Sequence, residues 1–343
     1  MRIPVTVAVL AALALPCGSW AQTAPHYDVV KKVALGAPDR WDYVVFDAGS
    51  GRVFVAHGDE LTVVDGTSGD IIGHVRSFPG TTHGIAIVTA SNRGYTDEGE
   101  AGKAASFNLK TFAVEKHVQA AEGADAITFD PVSNHVFIMN GDAGSITVID
   151  PKADAAVATI EVGGKLEYGV PSGDGKLFVN AAAKRQVISI DTATNKVVAR
   201  WSVPECESPH GLAIDPANHR LFVSCLNERL NVVDSQHGQV VATVAIGKGT
   251  DAVVFDPKRN LLFSSNGKDG TISVIAQQDP QTYLALQPIQ TAISARTMGI
   301  NQTTGRLFLA AADATPNTPP DKKSGRIPTR PGSLKLLFLD PAN

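Results

Sequence analysis

Seven copies of one motif run through the chain, and a repeat of this kind constrains the fold more than length or composition does. The copies open with WDYVVFD at Trp41, THGIAIV at Thr82, ADAITFD at Ala124, LEYGVPS at Leu166, PHGLAID at Pro209, TDAVVFD at Thr250 and RTMGINQ at Arg296. Their spacing is roughly 40 to 45 residues, the length of a four-stranded propeller blade. Openings are followed by turns rich in Gly, Asn, Asp and Pro, such as AGSGR and DPANHR, and then by a second apolar run: RVFVAH, HVFIMN, KLFVNA, RLFVSC, LLFSSN and RLFLAA. Gly and Asn accept the positive φ of tight hairpins, and Pro presets a turn. A third run often ends in Asp, as in LTVVD, ITVID, VISID, LNVVD and LLFLD, and a fourth follows in most copies, as in KVVARWSV. Apolar and β-branched residues alternate and no long stretch carries a helical period, so the chain reads as an all-β, seven-bladed β-propeller.

The repeat is out of phase with the chain ends. The last copy stops after its third strand at Leu339, whereas YDVVKKVAL, from Tyr27 to Leu35, supplies a strand ahead of the first opening. Placing that N-terminal strand on the outside of blade seven closes the ring and removes open sheet edges that invite aggregation.

These LFV-type second strands and VVD-type third strands resemble the YVTN-repeat β-propeller family of exported bacterial proteins, over essentially the whole chain that follows the leader. Literal YVTN is not retained, and VFIMN at Val136 is among the closer variants. Two local features sharpen the resemblance: CESPHGLAIDPANHRLFVSC in blade five and the Pro-rich segment near Thr315 to Pro331. The resemblance implies the ring but no particular reaction, since that family is defined by its repeat.

Met1 and Arg2, an apolar run from Val5 to Leu15, then Pro16 and CGSWAQ have the layout of a signal peptide. We expect a leader over residues 1–21, cut after Ala21, and a propeller over 22–343. The apolar run is too short to span a bilayer. A lipid anchor on Cys17 is the rival reading, and Pro16 just before it speaks against that. The expected location is the periplasm or the outside of the cell, without a membrane span.

Loss of Arg2 with the leader moves the formal net charge from -4 to -5. No Lys/Arg run that could neutralise phosphates occurs, so nucleic acid is disfavoured as a partner. Of the three cysteines, Cys206 and Cys225 would survive cleavage, and in an oxidising compartment such a pair reads as a disulfide. No CxxC or CxxCH spacing is present, which removes thioredoxin-like chemistry and covalent haem.

In a propeller, the start of each innermost strand lies at one end of the central channel. One equivalent position per opening gives Asp42, His83, Asp125, Glu167, His210, Asp251 and Thr297. This ring of four carboxylates, two imidazoles and one hydroxyl is the candidate ligand site, with His83, His210, Glu167 and Asp251 as weak candidates for a divalent cation. Loop bracing is the bland alternative, since buried polar groups must be satisfied. Wide spacing around a channel and the lack of a compact HxH or HxxxH motif weaken the metal reading. His57, His74, His117, His135, His219 and His237 are expected exposed, in loops or on outer strands. TDEGE, from Thr96 to Glu100, and DKK, from Asp321 to Lys323, read as solvated loop tips. Trp41 and Trp201 are expected to fill wedges between blades, with a stacking platform as the alternative.

No GxSxG elbow, P-loop or HExxH motif is present, which speaks against a standard hydrolase. The Pro-rich insert from Asp313 to Pro331 exceeds an ordinary inter-strand loop and suits a lid or a partner-contact loop over the mouth. The expectation is a monomeric binding or scaffold propeller that recognises a small ligand, a cation or a periplasmic protein. A metal-assisted lactonase-like hydrolase and an accessory subunit of a periplasmic redox enzyme are the alternatives, both resting on fold analogy.

Overall fold

The computed structural model describes residues 26–342 apart from 317, 323 and 324, so the expected leader, its cleavage site and Cys17 lie outside the described residues. Seven antiparallel sheets form a ring of blades, one for each copy of the repeat. Blade one runs outward from the axis as Trp41–Asp47, Arg52–His57, Glu60–Asp65 and Ile71–Val75. Blade six differs at its rim, where two short strands, Tyr283–Ala285 and Ile289–Gln290, share the edge of Thr271–Gln277. Blade seven is made of Thr297–Asn301, Arg306–Ala311 and Lys335–Pro341, with Tyr27–Ala34 as its outer strand.

That outer strand pairs antiparallel with Lys335–Pro341 from Tyr27 opposite Pro341 to Ala34 opposite Lys335. The Tyr27 hydroxyl donates to the Gly305 carbonyl at 3.1 Å. Beneath it, Arg306 holds Asp340 with two bonds of 2.6 and 2.7 Å and lies over the Phe338 ring.

The core follows the repeat. Seven apolar clusters each fill the wedge between two neighbouring blades. The second strand of every blade contributes one aromatic to one wedge: Phe54, Tyr95, Phe137, Phe178, Phe222, Phe263 and Phe308, all essentially unexposed. Burying one such side chain is worth about 1.5–3 kcal/mol. Blade two carries the one tyrosine of this set, and its hydroxyl is satisfied by Asp154 of blade three at 2.8 Å. The expected disulfide forms between Cys206 and Cys225, with Cα atoms 5.1 Å apart, inside the wedge of blades four and five.

Near the axis, neighbouring inner strands approach closely. A Cβ at Gly84 would lie 2.5 Å from the Ile127 nitrogen, and one at Gly211 would lie 2.8 Å from the Asp251 carbonyl. The His-Gly pairs of blades two and five therefore place a bare backbone against the next blade, with the imidazole of His210 lining the mouth.

Candidate functional site

Strand register identifies the ring residue of each blade. The second-strand aromatics pair with Val45, Ala86, Thr128, Val170, Ala213, Val254 and Gly299. The residue three before each partner is Asp42, His83, Asp125, Glu167, His210, Asp251 and Arg296. Blade seven thus corrects the expectation: Arg296 takes the position assigned to Thr297. Thr297 is fully buried, and its hydroxyl donates to the Asp42 carbonyl at 2.6 Å, which ties blade seven to blade one. Counting twelve residues back from the aromatic finds the ring residue in every blade except four, whose hairpin is one residue shorter. The apolar alternation of the opening RTMGINQ hid the one-residue slip.

Arg296 changes the electrostatics of the mouth. Its guanidinium lies 3.3 Å from Asp42 and 3.4 Å from Asp251, stacks over Trp41, and donates to the Trp41 carbonyl. Glu167 is met by Lys165 at 3.0 Å and approached by His210 at 3.7 Å. His83 turns away to Asp97, a wholly buried carboxylate 2.8 Å distant that also accepts from the Gly84 amide. Burial alone would lower the His83 pKa, but the hydrogen bond and charge of Asp97, with Asp42 and Asp125 nearby, raise it above the usual imidazole value.

Asp125 is the exception. No hydrogen bond or ion pair reaches its carboxylate among the described residues. Burial first, then the charge of Asp42, push its pKa well above the ordinary carboxylate range. Asp251 is also raised, by burial, although Arg296 and His210 pull against the shift. The four candidate metal ligands do not converge: His210 and Glu167 approach each other, while His83 serves Asp97 and Asp251 serves Arg296. Among the described residues, no group of three or more His, Cys, Asp or Glu side chains is gathered to hold a metal ion.

Asp42, Asp125, Glu167, His210, Asp251 and Arg296 all line a cavity of about 560 Å³ at the channel mouth. Tyr43 lines its inner end, and Tyr168 lies behind Tyr43 in the wall of the lower channel. Tyr43 of blade one and Tyr168 of blade four meet across the channel with ring centroids 4.5 Å apart. Below them, the apolar faces of the inner strands enclose a second space of about 350 Å³.

The insert supplies the roof. It folds back on itself through the bridge between Ala314 and Thr329 and the bonds from Thr315 to Pro328 and from Asp321 to Arg326. Asp313 anchors its base to Arg330 and Lys335, and Asp39 accepts from the amides of Ser333 and Leu334 at 2.8 and 2.9 Å. From this roof Gly325, Arg326, Ile327 and Thr329 line the cavity, with Arg326 3.9 Å from Asp42.

Three further expectations divide. His57 is wholly buried, bonded to Thr62 and to the Pro38 carbonyl, because it ends a second strand and does not lie in a loop. Thr96, Asp97 and Glu98 are likewise unexposed, since RGYTDE is the second strand of blade two, equivalent to RVFVAH. That equivalence is the signal that would have found Asp97 as the partner of His83. Trp201 packs on Phe178, and Trp41 joins the wedge between blades seven and one, so both fill wedges as expected.

Fold and site together define a seven-bladed β-propeller with a polar, roofed channel mouth. Residues 53–218 match the model of a domain of unknown function, DUF5074. The chain is 31% identical over 169 residues to the uncharacterized protein YncE of Salmonella typhimurium, a match covering 47% of this chain and 46% of that protein. It is 29% identical over 134 residues to YncE of Escherichia coli K12, covering 37% and 38%. The matched stretch is thus less than half the length of these curated relatives. Among solved structures, the chain is similar to Kuenenia stuttgartiensis hydrazine synthase, with a TM-score of 0.68, 14% identity, and coverage of 78% of this chain and 91% of that one. At that identity the likeness concerns the fold alone. These matches accord with the repeat-propeller resemblance of the sequence.

Proposed function

We propose that the protein is an exported binding propeller that holds a small polar ligand in the roofed cavity at the channel mouth. The observation that carries this reading is Asp125, a half-buried carboxylate in the wall of that cavity without a hydrogen bond or ion pair among the described residues. Bracing accounts for Asp42, Asp251 and Glu167, whose charges are met by Arg296 and Lys165. It does not account for Asp125, whose carboxyl lines the same cavity and is met by no side chain or backbone group among the described residues. The cavity volume falls within the range of about 300–1,000 Å³ typical of small-molecule sites. The walls come from rigid inner strands, so the binding groups are preorganised before a ligand arrives. The disulfide suits an oxidising compartment, and no helix among the described residues is long and apolar enough to cross a membrane.

A thermal-shift screen of small polar compounds tests the reading. Stabilising compounds are expected to lose most of their effect in Asp125→Asn and in a variant lacking residues 315–325, both checked for an intact melting transition. Compounds that stabilise both variants as strongly as the parent protein would place the site elsewhere.

A further inference from the structure

We infer that the ligand presents an ammonium group to Asp125, beside Tyr43 in the mouth, so that the cavity is a receptor for small primary amines. This inference rests on the mouth being the binding site, and it names the chemistry that site selects.

The charges of the ring lead to it. Arg296 serves two carboxylates, Lys165 serves Glu167, and His83 is committed to Asp97, so these three cations each stand beside another anion, while Lys268 and Arg326 also line the cavity. Asp125 is left over. A second group points to the same spot. Tyr43 is 91% buried by its residual exposure of 9%, lines the mouth cavity, and has no hydrogen-bond partner for its hydroxyl among the described residues. Its hydroxyl lies within the field of Asp125, Asp42 and Glu167, which together with burial hold it protonated. An ammonium has three N–H donors, and here it would meet one carboxylate, one neutral acceptor and the aromatic ring of Tyr43.

Other occupants fit less well. A divalent cation needs several oxygen or nitrogen ligands converging at short range, and the ring side chains are engaged in separate pairs. An anion would be drawn to Lys268 and Arg326 of the lining but would leave Asp125 and the Tyr43 hydroxyl unused. The shared chemistry is therefore the ammonium, whether it comes from a simple amine or from an amino acid. The groups facing Asp125 are Asp42, His83, Glu167 and Asp97. Since burial and Asp42 favour the protonated acid, an incoming ammonium should expel that proton, and binding should strengthen as pH rises.

Calorimetric titration of the disulfide-intact protein with five probes decides the matter: butylamine, 4-aminobutyrate, butyltrimethylammonium, butyrate and calcium chloride. Butylamine or 4-aminobutyrate is expected to bind with release of protons, seen as a heat that varies with the ionisation enthalpy of the buffer. The quaternary analogue, which lacks N–H donors, should bind at least tenfold more weakly, and Asp125→Asn should abolish the preference. A stronger response to 4-aminobutyrate identifies a carboxylate-bearing source, and a stronger response to butylamine a plain amine. Binding of butyrate or calcium in preference to the amines overturns the inference, as does amine binding that Asp125→Asn leaves unchanged. No binding by either amine also overturns it. If screening compounds of another charge still depend on the mouth, only the ligand class falls; if none does, the site itself falls with it.

Discussion

A carboxyl group that burial and a neighbouring like charge make costly to ionise weakens a folded protein at neutral pH, and Asp125 is such a group. Neutralising it in place should stabilise the unliganded molecule, so Asp125→Asn is expected to raise the melting temperature at neutral pH. The pH dependence follows from the same residues. Asp97, Asp125 and Asp251 are all raised by burial, so the folded state keeps protons that the unfolded state loses above about pH 4. His83 is raised as well, so its contribution is complete below the ordinary imidazole value of 6.5 and is lost as pH climbs through the higher folded value. Exposed carboxylates with lowered values, such as Asp65 and Asp191, act in the opposite sense, losing their contribution as pH falls below about 4. The melting temperature without ligand is therefore expected to peak at about pH 4–5 and to decline toward alkaline pH. The decline should be shallower in Asp125→Asn, and His83→Gln should flatten it above about pH 6.5. A profile that rises through neutrality would contradict these assignments.

At the scale of strands and loops, hairpins were legible because a period of two and turn residues recur in each copy. Loops and slips were harder to read. In blade seven the sequence leaves the ring position ambiguous by one residue because Met298 and Ile300 fit an alternating strand in either alignment, and only pairing with Arg306–Ala311 fixes which side faces the mouth. The TDE segment of blade two was hidden by its charge, although Tyr95 marks it as a second strand. Two elements give direct tests. Removing Tyr27–Ala34 exposes the edge of Lys335–Pro341 and strips Tyr27 from the wedge of blades six and seven, whereas removing 315–325 takes away only roof. The strand deletion should lower the melting temperature far more than the roof deletion. Equal midpoints would mean that the outer strand contributes little. Replacing Cys206 and Cys225 together by Ser should cost roughly 3 kcal/mol, the chain-entropy estimate for a loop of about 20 residues. Denaturant midpoints of the two proteins check it.

At the scale of the whole molecule, the repeat divides labour between wedges and axis. Seven apolar wedges hold the blades, which frees the inner strand ends to carry charge around one opening. The ring of blades was readable because each copy repeats the same burial pattern. The ligand chemistry was not, because it depends on which cation meets which carboxylate across blades distant in sequence, as Arg296 meets Asp42. The most direct test of the mouth as a binding site is a crystal structure of the protein with its best-stabilising compound. The compound is expected between Asp125, Tyr43 and the underside of the segment 325–329. A compound seated on the outer rim or in the apolar lower channel, with the mouth unoccupied, would contradict it.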